Sequence, residues 1–417
     1  MHTIRKPAPL DFAGNRQRLL EKLSEDSLAI VCSGRPSART ADQKHDHFAD
    51  RSFFYLCGIE QEESILVIYR DGEYHRVSLF ISQPDEFQER WNGRRMSKDE
   101  IAAISGIEEI YYLDAFEGQV ADLIDSNPIN RIWLDFSAVN SQAQEIRHKL
   151  QEIQQRLTGR NKLFDLSPLL TQLRMVKSRE EIGLIKSAIN LTGEGIFAML
   201  RVLKPGLSEY HLWSEFQYTL SQAGCLSPAF PSIVAAGRNL FCLHHMKPFG
   251  GIGENDLVQV DVGATAGGLC ADISRVLPAS GRFSERQLQI YNLVRACQET
   301  AFSTIRPGIK LSDINQACRE TAAEGLKQLG ILSDRSDIGR YFWHGVSHHL
   351  GLDVHDVSHR EALLLPGMVL TVEPGIYIPE LNIGMRIEDD IEVVDDGCHI
   401  LSAGIPREAK EIEALMS

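Results

Sequence analysis

The stretch VLTVEPGIYIPELNIGMRIEDDIEVV, residues 369–394, reads as a strand, a turn marked by Gly and Pro, and a returning strand, with Glu373 and Glu388 on its two arms. Val and Ile dominate both arms, as β structure prefers. The same scheme stands earlier in VQVDVGATAGGLCADISRVL, residues 258–277, with Asp261 and Asp272 on its arms. Helical patterning precedes each. Two such hairpins, each presenting two acids to a shared centre, describe a domain of two pseudo-symmetric halves with the acids at the seam. Between the hairpins, HGVSHHLGLDVHD, residues 344–356, contributes His348 as a single imidazole. A buried ionised carboxylate must be paired, protonated or bound to a metal. One such acid is more often a solvated strand end; five ligand-type side chains in apolar, Gly-framed segments argue for more. Asp261, Asp272, His348, Glu373 and Glu388 suit two divalent cations held roughly 3.5–4 Å apart by bridging carboxylates. Mn²⁺ prefers such oxygens, with imidazole as an adjunct.

His344 and His355 flank His348, and only one imidazole is needed as a ligand. The other two are expected to donate to a substrate carbonyl or carboxylate. His359 and His399 lie in polar loops and read as ordinary surface residues. His244 and His245 follow AAGRNLFCL, and one of them is expected to face the cleft. Nucleophilic alternatives are poor. There is no G-x-S-x-G elbow, and no cysteine sits in a protease signature. GGIGEN and DVGATAGG lack the strand-to-helix context of a nucleotide loop and read as turns.

The rest of the chain frames this centre. At 417 residues, two domains are the default. Residues 1–173 read as an α/β domain with a scaffold or oligomerisation role. NRQRLLEKL has helical spacing, and SLAIVCSG, ESILVIYR, HRVSLFIS and RIWLDF are short β-rich runs. SAVNSQAQEIRHKLQEIQQRL, residues 137–157, reads as a polar-faced helix. The boundary falls in LFDLSPLLTQLRMVKSREE, and the catalytic domain is residues 174–417. There Ser178 and Glu181 form a capping box. Ile182, Ile185, Ile189, Ile196 and Leu200 mark one helical face. Further helices are expected near Ser208, over residues 284–305 and over residues 310–329.

A formal net charge of -14 argues against nucleic acid or an anionic membrane as the main partner. No run is long and apolar enough to suggest a membrane span, and the first 20 residues lack a secretory h-region. Eight cysteines stand singly, which suits reduced thiols and a cytoplasmic location.

The ordered motifs resemble the pita-bread metallopeptidases, a group that includes methionine aminopeptidase, prolidase and aminopeptidase P. HGVSHHLGLDVHD, then PGMVLTVEPGIYI, then GMRIEDDIEVV look most like aminopeptidase P, and Ser347 stands where prolidases more often have Gly. RSFFYLCGIEQEESILVI and ERWNGRR look like the amino-terminal domain of that branch, and RMVKSREEI like its domain junction. The resemblance covers nearly the whole chain. It implies an α/β (α+β) architecture: a mixed α/β domain, then a pita-bread domain with a dinuclear site between its halves. It implies hydrolysis of the bond between an N-terminal residue and a following proline, by a hydroxide bridging two metals, Mn²⁺ above Co²⁺ or Zn²⁺. Asp261 would chelate one ion, His348 and Glu373 the other, and Asp272 and Glu388 both. Glu373 would also handle the proton of the attacking water. His355 would bind the substrate carbonyl or stabilise the oxyanion. The spacing of His244 from Gly237 and Asn239 matches the family's histidine, and His344 and Arg386 would line the pocket after the cleaved bond. A homodimer or homotetramer is implied, with Trp91 a candidate contact; ordinary packing within the chain explains Trp91 equally well.

Three departures bear on substrate range. His349 replaces a common bulky aromatic, which implies a more polar subsite wall. The segment between Glu373 and Glu388 is short, and DVSHREALLL lacks the Gly that often follows DV. The runner-up activity is an Xaa-Pro dipeptidase (prolidase). Creatinase-like chemistry and a non-enzymatic binder are disfavoured, because relatives of both kinds lack ligands that this chain keeps.

Overall fold

The computed structural model describes residues 10–137, 141–156 and 162–417. They form two compact units that meet in sequence between Arg174 and Met175.

The N-terminal unit is built on a six-stranded mixed sheet in the order β4-β3-β2-β1-β5-β6. Its strands are β1 (Ser27–Cys32), β2 (Ile65–Asp71), β3 (Tyr74–Ile81), β4 (Glu109–Tyr112), β5 (Arg131–Leu134) and β6 (Lys162–Asp165). β1 runs antiparallel to β2 and parallel to β5. Every residue of β1 is buried, which explains its near-continuous apolar run at the sheet centre. Leu28, Ile30, Val67, Phe80 and Ile132 form the core with Val120 and Ile124 of the helix Phe116–Ser126. The four apolar runs recognised in the sequence are β1, β2, β3 and β5. β4 and β6 have only four residues each and mixed exposure, so neither carries a clear alternation. The helix expected over 137–157 is Ser141–Arg156; Ala138–Asn140 and Leu157 lie outside the described residues.

The C-terminal unit repeats one theme twice. Its first half has the helices Arg179–Val202 and Glu209–Gln222, then β7 (Ile233–Ala236), β8 (Leu257–Val262), β9 (Thr265–Ala266), β10 (Leu269–Cys270) and β11 (Ile273–Pro278). The second half has the helices Glu285–Thr304 and Leu311–Gln328, then β12 (Val369–Val372), β13 (Gly375–Ile378), β14 (Ile383–Arg386), β15 (Asp389–Val394) and β16 (Gly397–Ile400). The capping box opens the first helix as expected: Ser178 Oγ accepts from Glu181 N, and Glu181 Oε2 accepts from Ser178 N. The face marked by Ile182, Ile185, Ile189, Ile196 and Leu200 is buried.

Each hairpin is broken at or beside its acids. β8 pairs with β11, placing Asp261 opposite Ser274. Past Gly263–Ala264 and Ala271–Asp272 the short ladder β9–β10 takes over. β12 pairs with β15 and β13 with β14, with Glu373–Pro374 and Ile387–Glu388 in the gaps. Only Asp261 lies within a strand, so the reading of one acid per strand is corrected for the other three. Pro374 has no N–H for a ladder, and the backbone at the gaps pairs across hairpins. Glu388 N donates to Ser274 O at 3.1 Å, and Asp272 N donates to Asp390 Oδ2 at 3.1 Å. The two hairpins are thereby joined at their acids.

Candidate metal centre

Asp272, His348 and Glu388 each offer a ligand atom, and these atoms lie within 4.8 Å of one another. His348 Nδ1–H donates to His349 O at 3.0 Å. That bond orients the ring so that Nε2 faces the acids, as such bonds do for metal-ligating histidines. Nε2 points at acceptors, standing 3.5 Å from Asp272 Oδ2 and 3.6 Å from Glu373 Oε1. Asp261 lies beside Asp272; its Oδ2 accepts from Arg386 Nη2, while its buried Oδ1 has no hydrogen-bond partner. Glu388 Oε2 accepts from Ser274 Oγ at 2.8 Å. The structure thus brings all five sequence-identified ligand candidates to one point.

The charge balance of this point is unfavourable without a cation. Burial, then the charge of Asp261, holds the Asp272 carboxyl well above the usual range. Burial, then Asp272, does the same to Glu388. Glu373 is pushed up to about 7, chiefly by burial. The sign of the consequence follows from proton linkage. Unfolded carboxyls ionise near pH ~4, whereas the folded ones retain their protons to higher pH. Below the unfolded pKa their full stability is present; it falls as pH rises towards and through the folded pKa. Metal-stripped protein is therefore expected to be less stable to denaturant at pH 8 than at pH 5. Equal or greater stability at pH 8 contradicts this reading.

Beneath the centre lies a second layer of buried charge. Arg275 Nη2 donates to Asp389 Oδ1 at 2.8 Å, and Arg275 Nη1 donates to Glu388 O at 2.6 Å. Ser402 Oγ and Gln298 Nε2 donate to the two oxygens of Asp389. These bonds fix the backbone that carries Glu388. In EDD the three acids are all buried, yet they do different work because neighbouring side chains leave an extended backbone on opposite faces.

A cavity of about 660 Å³ opens over the acids. His244, His344, Ser347, His348, His355 and Arg386 line it, with an apolar wall of Phe230, Pro231, Ile233, Leu243, Met246 and Val354. The His355 ring lies 4.1 Å from that of His348; burial, then His348, lowers its pKa. Arg386 Nη1 donates to Tyr377 Oη at 3.0 Å, and that hydroxyl lies 2.9 Å from His344 Nε2. His344 Nδ1–H donates to Gly345 O at 2.7 Å, so Nε2 accepts from Tyr377. Burial, then Arg386, lowers His344 to about 4, and the ring is neutral. Tyr377 was not singled out in the sequence. Its place in an apolar strand conceals it, and only the pairing of Gly375 with Arg386 brings its hydroxyl to the site.

Gly375 leaves room for this chain of bonds. A Cβ there would stand 2.6 Å from His344 Nε2 and 2.7 Å from Tyr377 Oη. Gly375→Ala is expected to push the relay apart and lower kcat/KM by about 100-fold, the scale of a 1 Å misplacement. Unchanged kcat/KM in a folded, metal-loaded variant contradicts that.

The expectation for His349 is corrected. It is 2% exposed and does not line the cavity. Its backbone accepts from Asp356 N, and its ring feels Lys177 and Asp356. It therefore adds no polarity to the subsite wall. His244 lines the cavity, whereas His245 turns away to Glu209. Trp91 is 76% exposed. All eight cysteines are free thiols, and among the described residues no helix is long and apolar enough to cross a membrane.

Comparison with known proteins meets this geometry at both ends of the chain. Metallopeptidase family M24 matches residues 183–395, and the aminopeptidase P N-terminal domain matches residues 12–133. The Xaa-Pro aminopeptidase of Escherichia coli (strain K12) is 32% identical, with 97% of each chain covered. Human Xaa-Pro aminopeptidase 3 is 30% identical over 98% of this chain and 86% of its own. A solved structure of zinc-substituted E. coli aminopeptidase P in complex with product superposes with a TM-score of 0.92 at 31% identity, covering 99% of both chains. A mixed α/β unit followed by a pseudo-symmetric, acid-centred unit is the architecture these relatives share, and the chain belongs to metallopeptidase family M24, in its aminopeptidase P branch.

Proposed function

We propose that this chain is a metal-dependent Xaa-Pro aminopeptidase, releasing an N-terminal residue from peptides with proline at the second position. The observation that carries the hydrolytic reading is Nε2 of His348 facing the carboxyl groups of Asp272 and Glu373. Clustered carboxyl oxygens around one imidazole nitrogen, together with the orphaned Oδ1 of Asp261, suit a divalent cation. Full-length relatives named Xaa-Pro aminopeptidase support the substrate class.

Asp261, Asp272, His348, Glu373 and Glu388 would together hold two divalent ions, and a set of carboxylates with one imidazole favours Mn²⁺. When bound, the pair supplies Lewis-acid polarisation of the substrate carbonyl and an activated water. The chain's own residues do the rest. Glu373 takes the proton of the attacking water and delivers it to the leaving nitrogen. His355 and His244 donate to the substrate carbonyl. Neutral His344, Tyr377 and Arg386 form one bonded wall against which the proline ring packs.

The cavity also bears on peptide length. Arg386 is the permanently charged cation among its lining residues. Its Nε, Nη1 and Nη2 already donate to Ser274, Tyr377 and Asp261. Three of the five N–H groups of that guanidinium are committed, so the free carboxylate of an Xaa-Pro dipeptide would compete with Ser274, Tyr377 and Asp261 for it, which favours longer peptides. With Mn²⁺ present, Arg-Pro-Pro is expected to release Arg at least about tenfold faster than Arg-Pro, a difference of 1.4 kcal/mol. Faster cleavage of the dipeptide overturns the preference, and no release from either overturns the activity. A homo-oligomer is part of this reading: exposed Phe87 and Trp91 share the helix Glu86–Asn92, an apolar pair suited to a second copy.

A further inference from the structure

Glu209 is completely buried, one residue inside the helix Glu209–Gln222. Four donors converge on it. Ala236 N and Asn239 Nδ2 donate to Oε1, both at 2.8 Å. Gly250 N and His245 Nε2 donate to Oε2 at 2.8 and 2.9 Å. A carboxylate has about four lone-pair sites, so all are filled and none remains for metal or substrate. Its own backbone N donates to Gly250 O at 2.9 Å. Gly250 is needed for this closeness, since a Cβ there would stand 2.6 Å from Asn239 Nδ2 and 2.8 Å from Glu209 Oε1.

The four donors bracket one loop. Ala236 ends β7, Asn239 sits in the following turn and Gly250 closes the loop, with Met246 and Phe249 exposed on the way. His245 is the donor nearest the loop's tip, and His244 precedes it in the cavity wall. His244 lies in a turn and is joined directly to His245, so the backbone of that turn sets the direction of its side chain. Anchoring the His245 ring to a buried acid therefore fixes the direction of His244.

We propose that Glu209, acting through His245, is a positioning residue that holds His244 towards the substrate. The inference rests on His244 contacting substrate, as the proposed function has it. Glu209 touches neither metal nor peptide in this account. It turns a surface loop into a rigid part of the site, the arrangement that catalytic geometry requires.

A double-mutant cycle in the full, metal-loaded chain tests this with Arg-Pro-Pro. His245→Phe removes the anchor with little change in bulk, and His245→Gln restores a donor. His245→Phe is expected to lower kcat/KM by about 10- to 100-fold, as misplaced groups do, with metal content unchanged. His245→Gln should stay within about threefold of the parent. In a His244→Ala background His245→Phe should cost less than about twofold, because its effect passes through the missing ring. Amide exchange over residues 242–248 should speed up in His245→Phe and in Glu209→Gln. Equal losses in both backgrounds, or no loss, or unchanged exchange, overturn the inference. If His244→Ala itself costs nothing, the role assigned to His244 has failed and the inference falls with it. If His244→Ala is impaired and the cycle is additive, only the role of Glu209 has failed.

Discussion

Glu388→Gln is expected to abolish hydrolysis while leaving the metal-free chain more stable than the parent at pH 8. The two effects have one cause. Glu388 is buried, and burial together with Asp272, Glu373 and Asp261 holds its carboxyl in the neutral form. A glutamine is nearly the same shape as that neutral acid, and its oxygen can still accept from Ser274 Oγ. It removes a charge that the folded state tolerates poorly, so the denaturation midpoint should rise. The same change deletes an oxygen that, in the proposed function, would help hold the metal ions. Lewis-acid stabilisation contributes several kcal/mol to such reactions, so kcat should fall on the order of a thousandfold or more. Denaturant titration of stripped protein, set beside hydrolysis of Arg-Pro-Pro, checks both halves. A variant that is less stable when stripped, or that keeps more than about a tenth of the activity, contradicts the assignment. Such a trade between stability and function is expected where a site is strained for chemistry.

The largest stability effect is expected at Lys177→Met. Lys177 Nζ lies 3.0 Å from Asp356 Oδ2, and the two side chains are 2% and 1% exposed. Breaking a fully buried ion pair from one side typically costs about 3–5 kcal/mol, because the other charge stays in a poor environment. Asp356 directly follows His355, and its N–H donates to His349 O at 2.9 Å. The loss should therefore also loosen the turn that carries His355. Denaturant titration should show the full destabilisation at neutral pH, with amide exchange accelerated over residues 349–357. The double variant Lys177→Met with Asp356→Leu should recover most of the stability, since well-packed apolar replacements of buried pairs are often neutral. A single variant within about 1 kcal/mol of the parent contradicts the account.

The N-terminal helix-forming segments and the central strands were legible because helical spacing or a short β-rich apolar run marks each. Capping at Ser178 is local, spanning three residues, and it could be read directly. The acids were legible for a different reason: Asp261, Asp272, Glu373 and Glu388 stand in apolar frames where a solvated role was implausible. What the sequence withheld are pairings between distant segments. Glu209 lies in an ordinary first turn of a helix, where an acid is favourable at any exposed position. Nothing local indicates that it is buried and shared by Ala236, Asn239, His245 and Gly250. Lys177 and Asp356 lie far apart in sequence, and each alone resembles a surface charge. Tyr377 hides in a strand as one more β-favouring aromatic. His349 misled for the converse reason: its neighbours His348 and His355 face the cavity, while its own side chain is turned into the core.

The breaks in the hairpins carry the same lesson. Alternation marks strands, but Asp272, Glu373 and Glu388 sit where strand pairing stops. Pro374 interrupts one arm and Asp272 precedes the start of β11. The backbone freed at each gap reaches across to the other hairpin, through Glu388 N to Ser274 O and Asp272 N to Asp390 Oδ2. The candidate metal centre is thus assembled where the two hairpins join.

Titration of metal-stripped chain with Mn²⁺, with bound metal counted by elemental analysis and release of Arg from Arg-Pro-Pro followed in the same samples, tests the central claim most directly. The account predicts no release from the stripped protein and a rise in activity that tracks occupancy, saturating near two ions per chain, the number a bridged carboxylate centre holds. Full activity in the stripped protein, or saturation with fewer than about one ion per chain, would contradict it.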